Sequence, residues 1–174
     1  MNGQRHVLRG MSAGIAGGLV ASWVMNEFIA GPGKKLQEAV QSTNGNRQQS
    51  QGESQDQDAT MKAADLIVST ATGGQHLSLE QQEKAGPVVH YGFGALMGGL
   101  YGALAELWPG ARAGFGTTFG SALFAGADLV AVPVLRLGPS LDEQGAAAQA
   151  SPLAAHVVYG ATTELVRRIV RAMI

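Results

Sequence analysis

Five ionisable side chains stand inside long apolar stretches of this chain, and their types and spacing could do chemistry. They are Glu27, His90, Asp128, His156 and Glu164. A carboxylate or imidazole in an apolar environment is costly, which makes each one a candidate functional group. Imidazole titrates near neutrality, and two His with two carboxylates also suit zinc, manganese or iron. Three hypotheses follow: a path for protons or a small polar solute, a metal site, or interhelical hydrogen bonds that serve structure alone.

The elements that must position these groups are four apolar stretches. They cover residues 11–30, 88–108, 113–135 and 153–174. Each is close to the ~20 residues that a helix needs to cross a bilayer. Only 14% of the residues are charged, against about 25% in a typical soluble domain. The chain is therefore predicted to be an all-α, polytopic membrane protein with four transmembrane helices.

The remaining segments are polar. Residues 1–10 form a short N-terminal segment, residues 31–87 a long loop, and residues 136–152 a second loop. Residues 41–60 have no aromatic and almost no aliphatic side chain, a composition typical of disorder. Residues 61–73 have a weak apolar face, which suits either an interfacial helix or a weakly ordered loop helix. Ser78 and Gln81 resemble a capping box that would start a helix leading to Pro87.

Small residues recur at steps of four within these stretches, which keeps them on one face of a helix. Faces of this kind let helix backbones approach closely in a membrane. They predict that the four helices pack through Gly and Ala faces. The glycines assigned to this packing are Gly14, Gly18, Gly94, Gly98, Gly102, Gly116, Gly120 and Gly160.

The ionisable groups differ in their predicted depth along the membrane-spanning helices. Glu27, His90, Asp128 and His156 are each predicted near the outer half of their span, where they would form one polar group. Glu164 lies near mid-membrane, with Arg168 at i+4 as a candidate partner. Glu106 follows His90 by ~24 Å of helix, so it belongs to the opposite interface. Pro133, shortly after Asp128, should break or kink the third helix and free backbone carbonyls there.

The basic residues set the orientation. The N-terminus, the turn between the second and third spans and the C-terminus share one side of the membrane. That side carries more arginine near the spans, which predicts cytoplasmic termini. The residues that carry this bias are Arg5, Arg9, Arg112, Arg167, Arg168 and Arg171.

Several function classes are disfavoured. The chain has no cysteine and a formal net charge of −1, so disulfides, thiolate metal sites and a general attraction to nucleic acid are not expected. No phosphate-binding loop, nucleophile elbow or helical His pair is present. An enzyme is therefore not predicted, nor is a cofactor, a committed metal site or a catalytic residue. The expected partners are the lipid bilayer and either a second copy or another membrane protein.

The order of motifs resembles the YagU-like family of small bacterial inner-membrane proteins of unassigned function. The resemblance rests on a glycine-rich first span ending near a Glu, a long polar loop, and three stretches, "HYGFGALMGGLYGALAELWPG", "FGSALFAGADLVAVPVLRLGP" and "HVVYGATTELVRR". It implies a bacterial inner-membrane location and a polytopic helical fold, but no mechanism. A proline-arginine element expected after the first span is replaced here by "GPGKKL".

Two function hypotheses remain at this point. In the first, the polar interior of the bundle handles protons or a small polar solute from its outer half. In the second, the chain is a non-transporting membrane scaffold whose glycine faces bind a partner. If the first hypothesis holds, substitution of the carboxylates would impair function. If the second holds, substitution of the glycines at steps of four would impair it.

Overall fold

A computed structural model describes residues 2–43, 52–138 and 146–174. Within these ranges the chain is helical and contains no strand, as the apolar stretches predicted. The helices are α1 (Asn2–Phe28), α2 (Lys34–Thr43), α3 (Gly52–Thr72), α4 (Leu79–Leu107), α5 (Thr117–Gly126), α6 (Val132–Val134) and α7 (Ala150–Met173). Short 3₁₀ segments occupy Pro109–Gly116 and Ala146–Gln149.

Three helical stretches among the described residues are long and apolar enough to cross a membrane. They are Gly3–Val40, Leu79–Leu107 and Pro109–Val134. The helix α7 is 24 residues long but is not one of them, because polar residues such as His156, Glu164 and Arg167 lower its apolar character. The protein is thus an all-helical chain with three candidate membrane spans, and the fourth span stays a prediction.

The helix α1 lies between two neighbours, α4 on one side and α7 on the other, and α5 packs against the far side of α7. A small core of Ala21, Met25, Ala155 and Tyr159 fills the contact between α1 and α7. Many large apolar side chains point outward instead, as expected of a surface that faces lipid rather than water. Examples are Leu19, Trp23, Leu96, Leu100, Val130, Leu165 and Ile169.

Glycines bring α1 and α4 into close antiparallel contact. A Cβ atom added to Gly98 would collide with the carbonyl oxygen of Gly14, and one added to Gly94 would collide with the side chain of Ser22. Gly102 meets Gly10 in the same way, one turn further along. Small residues four apart along α1 therefore contact small residues four apart along the antiparallel α4. No side chain larger than hydrogen fits at the glycines of this contact.

The helices α5 and α7 form a second close contact. A Cβ atom on Gly116 would collide with the carbonyl oxygen of Gly160, and one on Gly120 would collide with that of His156. The turn before α5 holds Gly114, Phe115 and Gly116 at left-handed φ values of 62°, 56° and 83°. These values let the chain reverse direction and place Gly116 against α7.

Part of the polar segment before α4 is helical. Of residues 41–60, predicted to be disordered, residues 44–51 lie outside the described residues. Residues 52–60 belong to α3, which packs against α4, and the disorder of residues 41–60 stays a prediction. Residues 139–145 of the predicted loop 136–152 also lie outside the described residues.

The capping box at Ser78 is confirmed. The Ser78 hydroxyl accepts a hydrogen bond from the Gln81 backbone N–H at 3.3 Å, and the Gln81 side chain accepts one from the Ser78 N–H at 2.9 Å. The helix it starts continues through Pro87 into the predicted second span. Asp65 fastens the preceding loop, since it pairs with His76 at 2.8 Å and accepts the N–H of Leu77 at 2.6 Å. These hydrogen bonds, that of His76 first, lower the pKa of Asp65 below its usual value.

Two π-helical turns interrupt the regular helices. One covers Ile29–Gly33 and contains Pro32, and the other covers Ala127–Ala131 and is followed by Pro133. A proline lacks the N–H that a regular helical residue donates. The change from α-helical to π-helical hydrogen bonding near each proline follows from this missing donor. The predicted break near Pro133 thus takes the form of a π-helical turn, and the helix ends shortly afterwards at Val134.

Candidate functional site

The second π-helical turn places Asp128 beside His156. The Oδ2 atom of Asp128 lies 3.5 Å from Nδ1 of His156, and the two side chains are 19% and 8% exposed. This oxygen is buried and accepts no hydrogen bond. A buried carboxylate oxygen without a donor is unusual enough to need an explanation, such as a bound water or ion. Asp128 and His156 are hereafter called the acid–imidazole pair.

The hydrogen bonding of His156 fixes where its hydrogen sits. Its Nδ1 atom lies 3.0 Å from the carbonyl oxygen of Pro152 as well as near Asp128. Both neighbours are acceptors when Asp128 is ionised, so Nδ1 must carry the hydrogen. A proton taken up by the ring would therefore bind at Nε2, and the resulting cation would face the Asp128 carboxylate.

The π-helical turn also changes the backbone hydrogen bonding around Asp128. The N–H of Val132 donates to the carbonyl oxygen of Ala127, the π-helical partner, rather than to that of Asp128. In the same register the donor for the Asp128 carbonyl would come from Pro133, which has no N–H. The site thus places an unsatisfied carboxylate oxygen at a helix end whose regular hydrogen bonding is interrupted. This is the broken-helix environment expected of a polar site inside a membrane.

His90 occupies a different contact. Its Nε2 atom lies 3.4 Å from the carbonyl oxygen of Ser22, and its ring packs edge-on against Tyr91. The Ser22 residue is 1% exposed, yet its Oγ atom has no hydrogen-bond partner. His90 therefore belongs to the contact between α1 and α4, whereas His156 belongs to that between α5 and α7.

Glu27 does not join either histidine in the structure. It is exposed, and among the described residues no hydrogen bond or ion pair links it to His90, Asp128 or His156. No three His, Cys, Asp or Glu side chains of the described residues are grouped as metal ligands would be. The predicted outer group is thus divided: Asp128 and His156 come together, His90 meets Ser22, and Glu27 stands apart.

Glu164 lies in a separate ion-pair network further along α7. It is fully buried and accepts hydrogen bonds from Arg167 at 2.7 Å, Arg168 at 2.6 Å and the Tyr101 hydroxyl at 3.0 Å. The predicted partnership with Arg168 is confirmed, while those with Arg167 and Tyr101 were not anticipated. A carboxylate with three donors is satisfied by the protein, so Glu164 has a structural explanation that Asp128 lacks.

The network continues to the end of the bundle. Arg171 donates to Glu106 at 2.9 Å and lies 3.0 Å from Nδ1 of His6, so it joins α7 to α4 and α1. Arg167 adds a longer ion pair to Glu106 at 3.6 Å. Arg168 also stacks over the ring of Phe115 at 4.6 Å. Charged groups therefore bind the helices together at the end opposite the acid–imidazole pair.

Comparison with known proteins adds a family but no activity. Residues 57–165 match the family model described as "Protein of unknown function (DUF1440)". The chain belongs to the DUF1440 family. No curated protein and no solved structure matches it. The region shared with DUF1440 contains His90, Asp128, His156 and Glu164, whereas Glu27 and Ser22 precede it.

Proposed function

We propose that this DUF1440 protein spans the bacterial inner membrane with four helices, α7 being the fourth, and has both termini in the cytoplasm. Its apolar exterior and its three candidate spans support the membrane location. The arginines near the ends of α1, α5 and α7 support the orientation, and the motif order supports membership of the YagU-like group. Close packing through Gly faces accounts for how a charged α7 is accommodated between α1 and α5.

Within this bundle, the acid–imidazole pair handles protons. The observation that carries this proposal is the buried Asp128 oxygen that accepts no hydrogen bond while it faces an imidazole at 3.5 Å. An ionisable group inside a membrane is energetically costly, and such groups commonly mark proton or ion pathways. The same proposal includes the case in which a small polar solute carries the proton.

The chemistry of the pair permits stepwise proton exchange. The carbonyl oxygen of Pro152 holds Nδ1–H of His156, so protonation of the ring would add a hydrogen at Nε2, and protonation of Asp128 would add one at its unsatisfied oxygen. The pair therefore has two proton positions on different atoms, and each proton changes the charge that the other group experiences. Glu164 contributes no such position, because its oxygens are already held by Arg167 and Arg168.

The test is proton flux into proteoliposomes that enclose a pH-sensitive dye, measured under an imposed pH gradient. Asp128→Asn and His156→Gln should each abolish the flux, while the protein elutes as the wild type does in size-exclusion chromatography. Asp65→Asn is the matched control, since it makes the same chemical change in α3, which is not one of the candidate spans. If Asp128→Asn retained wild-type flux, or wild-type protein gave none, proton handling by this pair would be refuted.

The surroundings of the glycines limit which of them could bind a partner in the scaffold alternative. Gly14, Gly98, Gly116 and Gly160 contact glycine or backbone atoms of the same chain, so these faces are occupied before any partner binds. Gly92 and Gly126, by contrast, have no atom within 4 Å of an added Cβ. A scaffold would have to use such open positions. Association through them is tested by Gly92→Leu, which would dissociate an oligomer without loss of proton flux.

A further inference from the structure

Three arginines and two glutamates form the ion-pair network at the end of the bundle opposite the acid–imidazole pair. Glu164 is paired with Arg167 and Arg168. Glu106 is paired with Arg167 and Arg171. The network therefore carries more positive than negative charge. The Arg168 side chain is 51% exposed, whereas those of Arg167 and Arg171 are 4% and 22% exposed. The unbalanced charge is thus presented to the surroundings by Arg168.

Contacts on two sides fix the guanidinium group of Arg168. Its Nε atom donates to the Glu164 carboxylate at 2.6 Å, and the group stacks over the Phe115 ring at 4.6 Å from the ring centroid. The hydrogen bond to Glu164 uses only Nε, and the Nη1 and Nη2 atoms donate none to the described residues. A guanidinium group with free Nη atoms can bind two oxygens of a phosphate at once. Arg168 is therefore held in place with one binding edge open.

The 3₁₀ segment Pro109–Gly116 supplies the surroundings of this group. It packs against α7 and follows Trp108, whose ring lies against Gly110. Trp108 and Phe115 are both exposed. The segment also carries a second exposed arginine, Arg112, and no acidic residue. An exposed Trp beside arginines is typical of the level of a membrane at which acyl chains meet headgroups.

We propose that Arg168, Phe115 and Arg112 bind the headgroup of an anionic phospholipid. The Nη atoms of Arg168 donate to two oxygens of the lipid phosphate. Arg112 adds a second positive charge on the same segment, which strengthens the attraction to an anionic headgroup. The exposed rings of Phe115 and Trp108 contact the apolar part of the lipid next to its headgroup.

Charge and shape favour this partner over related ones. Both described glutamates of the network are already paired with arginine, so the network offers no unpaired carboxylate to the ammonium group of a zwitterionic lipid. A free phosphate has no apolar part to contact the exposed rings. The site rests on the membrane location in the proposed function but not on proton handling.

The experiment counts lipid adducts on the detergent-purified full chain by native mass spectrometry, with phosphatidylglycerol and phosphatidylcholine in equal amounts. Wild type should bind the anionic phosphatidylglycerol at least about tenfold more tightly, because both arginines favour a headgroup with net negative charge. Arg168→Gln should lower this preference about fivefold, the effect of losing one such charge. Arg136→Gln is the matched control, since Arg136 is an exposed arginine that follows α6 at the opposite end of the bundle, and it should keep the preference.

Arg168→Lys covers the case in which Arg168→Gln does not fold, since it keeps a cation for Glu164. A lysine cannot form two parallel hydrogen bonds to a phosphate, so this variant should also bind phosphatidylglycerol more weakly than wild type. Equal binding of the two lipids by wild type, or an unchanged preference in the Arg168 variants, would overturn the site.

An excess of inorganic phosphate separates the lipid from a free anion. It should leave the phosphatidylglycerol adduct in place, and displacement of the adduct would identify the ligand as free phosphate and overturn the lipid assignment. Asp128→Asn, which tests proton handling, should keep the wild-type lipid preference. Failure of this site and failure of the proposed function are therefore distinguishable.

Discussion

The contact between α1 and α4 gives the sharpest test of the fold, through Gly98→Ala. The added methyl would collide with the carbonyl oxygen of Gly14 and lie 2.8 Å from Cα of Gly18, where ordinary contact begins at 3.4 Å. The helices would have to separate by at least about 0.6 Å, and gaps of 0.5–1 Å forfeit roughly a quarter to a half of each dispersion contact. Overpacking of this kind costs about 1–3 kcal/mol.

Gly92→Ala is the matched control for this substitution. Gly92 lies in the same helix, but an added Cβ would meet no atom within 4 Å. Its substitution replaces a helical glycine by a better helix former, so the free energy of unfolding should be unchanged or higher by up to about 1 kcal/mol. The two variants therefore differ by where the methyl points and by nothing else in composition.

The assay is equilibrium unfolding in mixed micelles with increasing sodium dodecyl sulfate, followed by circular dichroism. Gly98→Ala should unfold at a lower detergent fraction than wild type, and Gly92→Ala should not. Equal midpoints for the two variants would refute the claim that these glycines are required by close helix contact. A lower midpoint for Gly92→Ala alone would place the α4 interface on the opposite face.

Three further predictions concern the polar contacts. The His76 hydrogen bond lowers the pKa of Asp65, so ionised Asp65 stabilises the folded loop fully at pH values above the usual pKa of a carboxyl group. This stabilisation is lost as the pH falls through the lowered pKa. Amide hydrogen exchange in the loop should therefore accelerate on acidification, and Asp65→Asn should remove that pH dependence. Glu164→Gln should lower the free energy of unfolding by about 3 kcal/mol, the low end for a broken buried ion pair, because it leaves the buried Arg167 with only its longer ion pair to Glu106. A detergent unfolding midpoint unchanged from wild type would contradict this. Ser151→Ala removes a buried hydrogen bond between α7 and the first π-helical turn and should cost about 0.6 kcal/mol in the same assay.

Local chemistry explains which features were predictable from sequence. The capping box at Ser78 and the pairing of Glu164 with Arg168 join residues three or four apart, and their geometry follows from the helix itself. The all-helical fold followed equally from long apolar stretches. The grouping of Asp128 with His156 was anticipated from depth, because both fall at corresponding ends of their helices.

Contacts between distant residues could not be derived in the same way. Tyr101 binds Glu164 only because of the rotation of α4 about its axis, and Glu27 faces away from the bundle for the same kind of reason. Depth places a residue along a helix but does not fix its direction around it. The two histidines of the expected outer group lie in different helix contacts. Their separation depends on the rotation of each helix about its axis, which depth alone does not predict.

The position of α7 between α1 and α5 has a consequence for biogenesis. It is synthesised after α1, α4 and α5, yet it contributes the network of Glu164, Arg167 and Arg171 that joins them. Until α7 is present, Tyr101 lacks its Glu164 acceptor, Glu106 lacks its arginine partner Arg171, and Gly116 and Gly120 lack the helix that covers them. The contacts among the earlier helices are therefore completed only by the most polar helix, and a chain that lacks it leaves polar groups and a glycine face uncovered, as folding intermediates do.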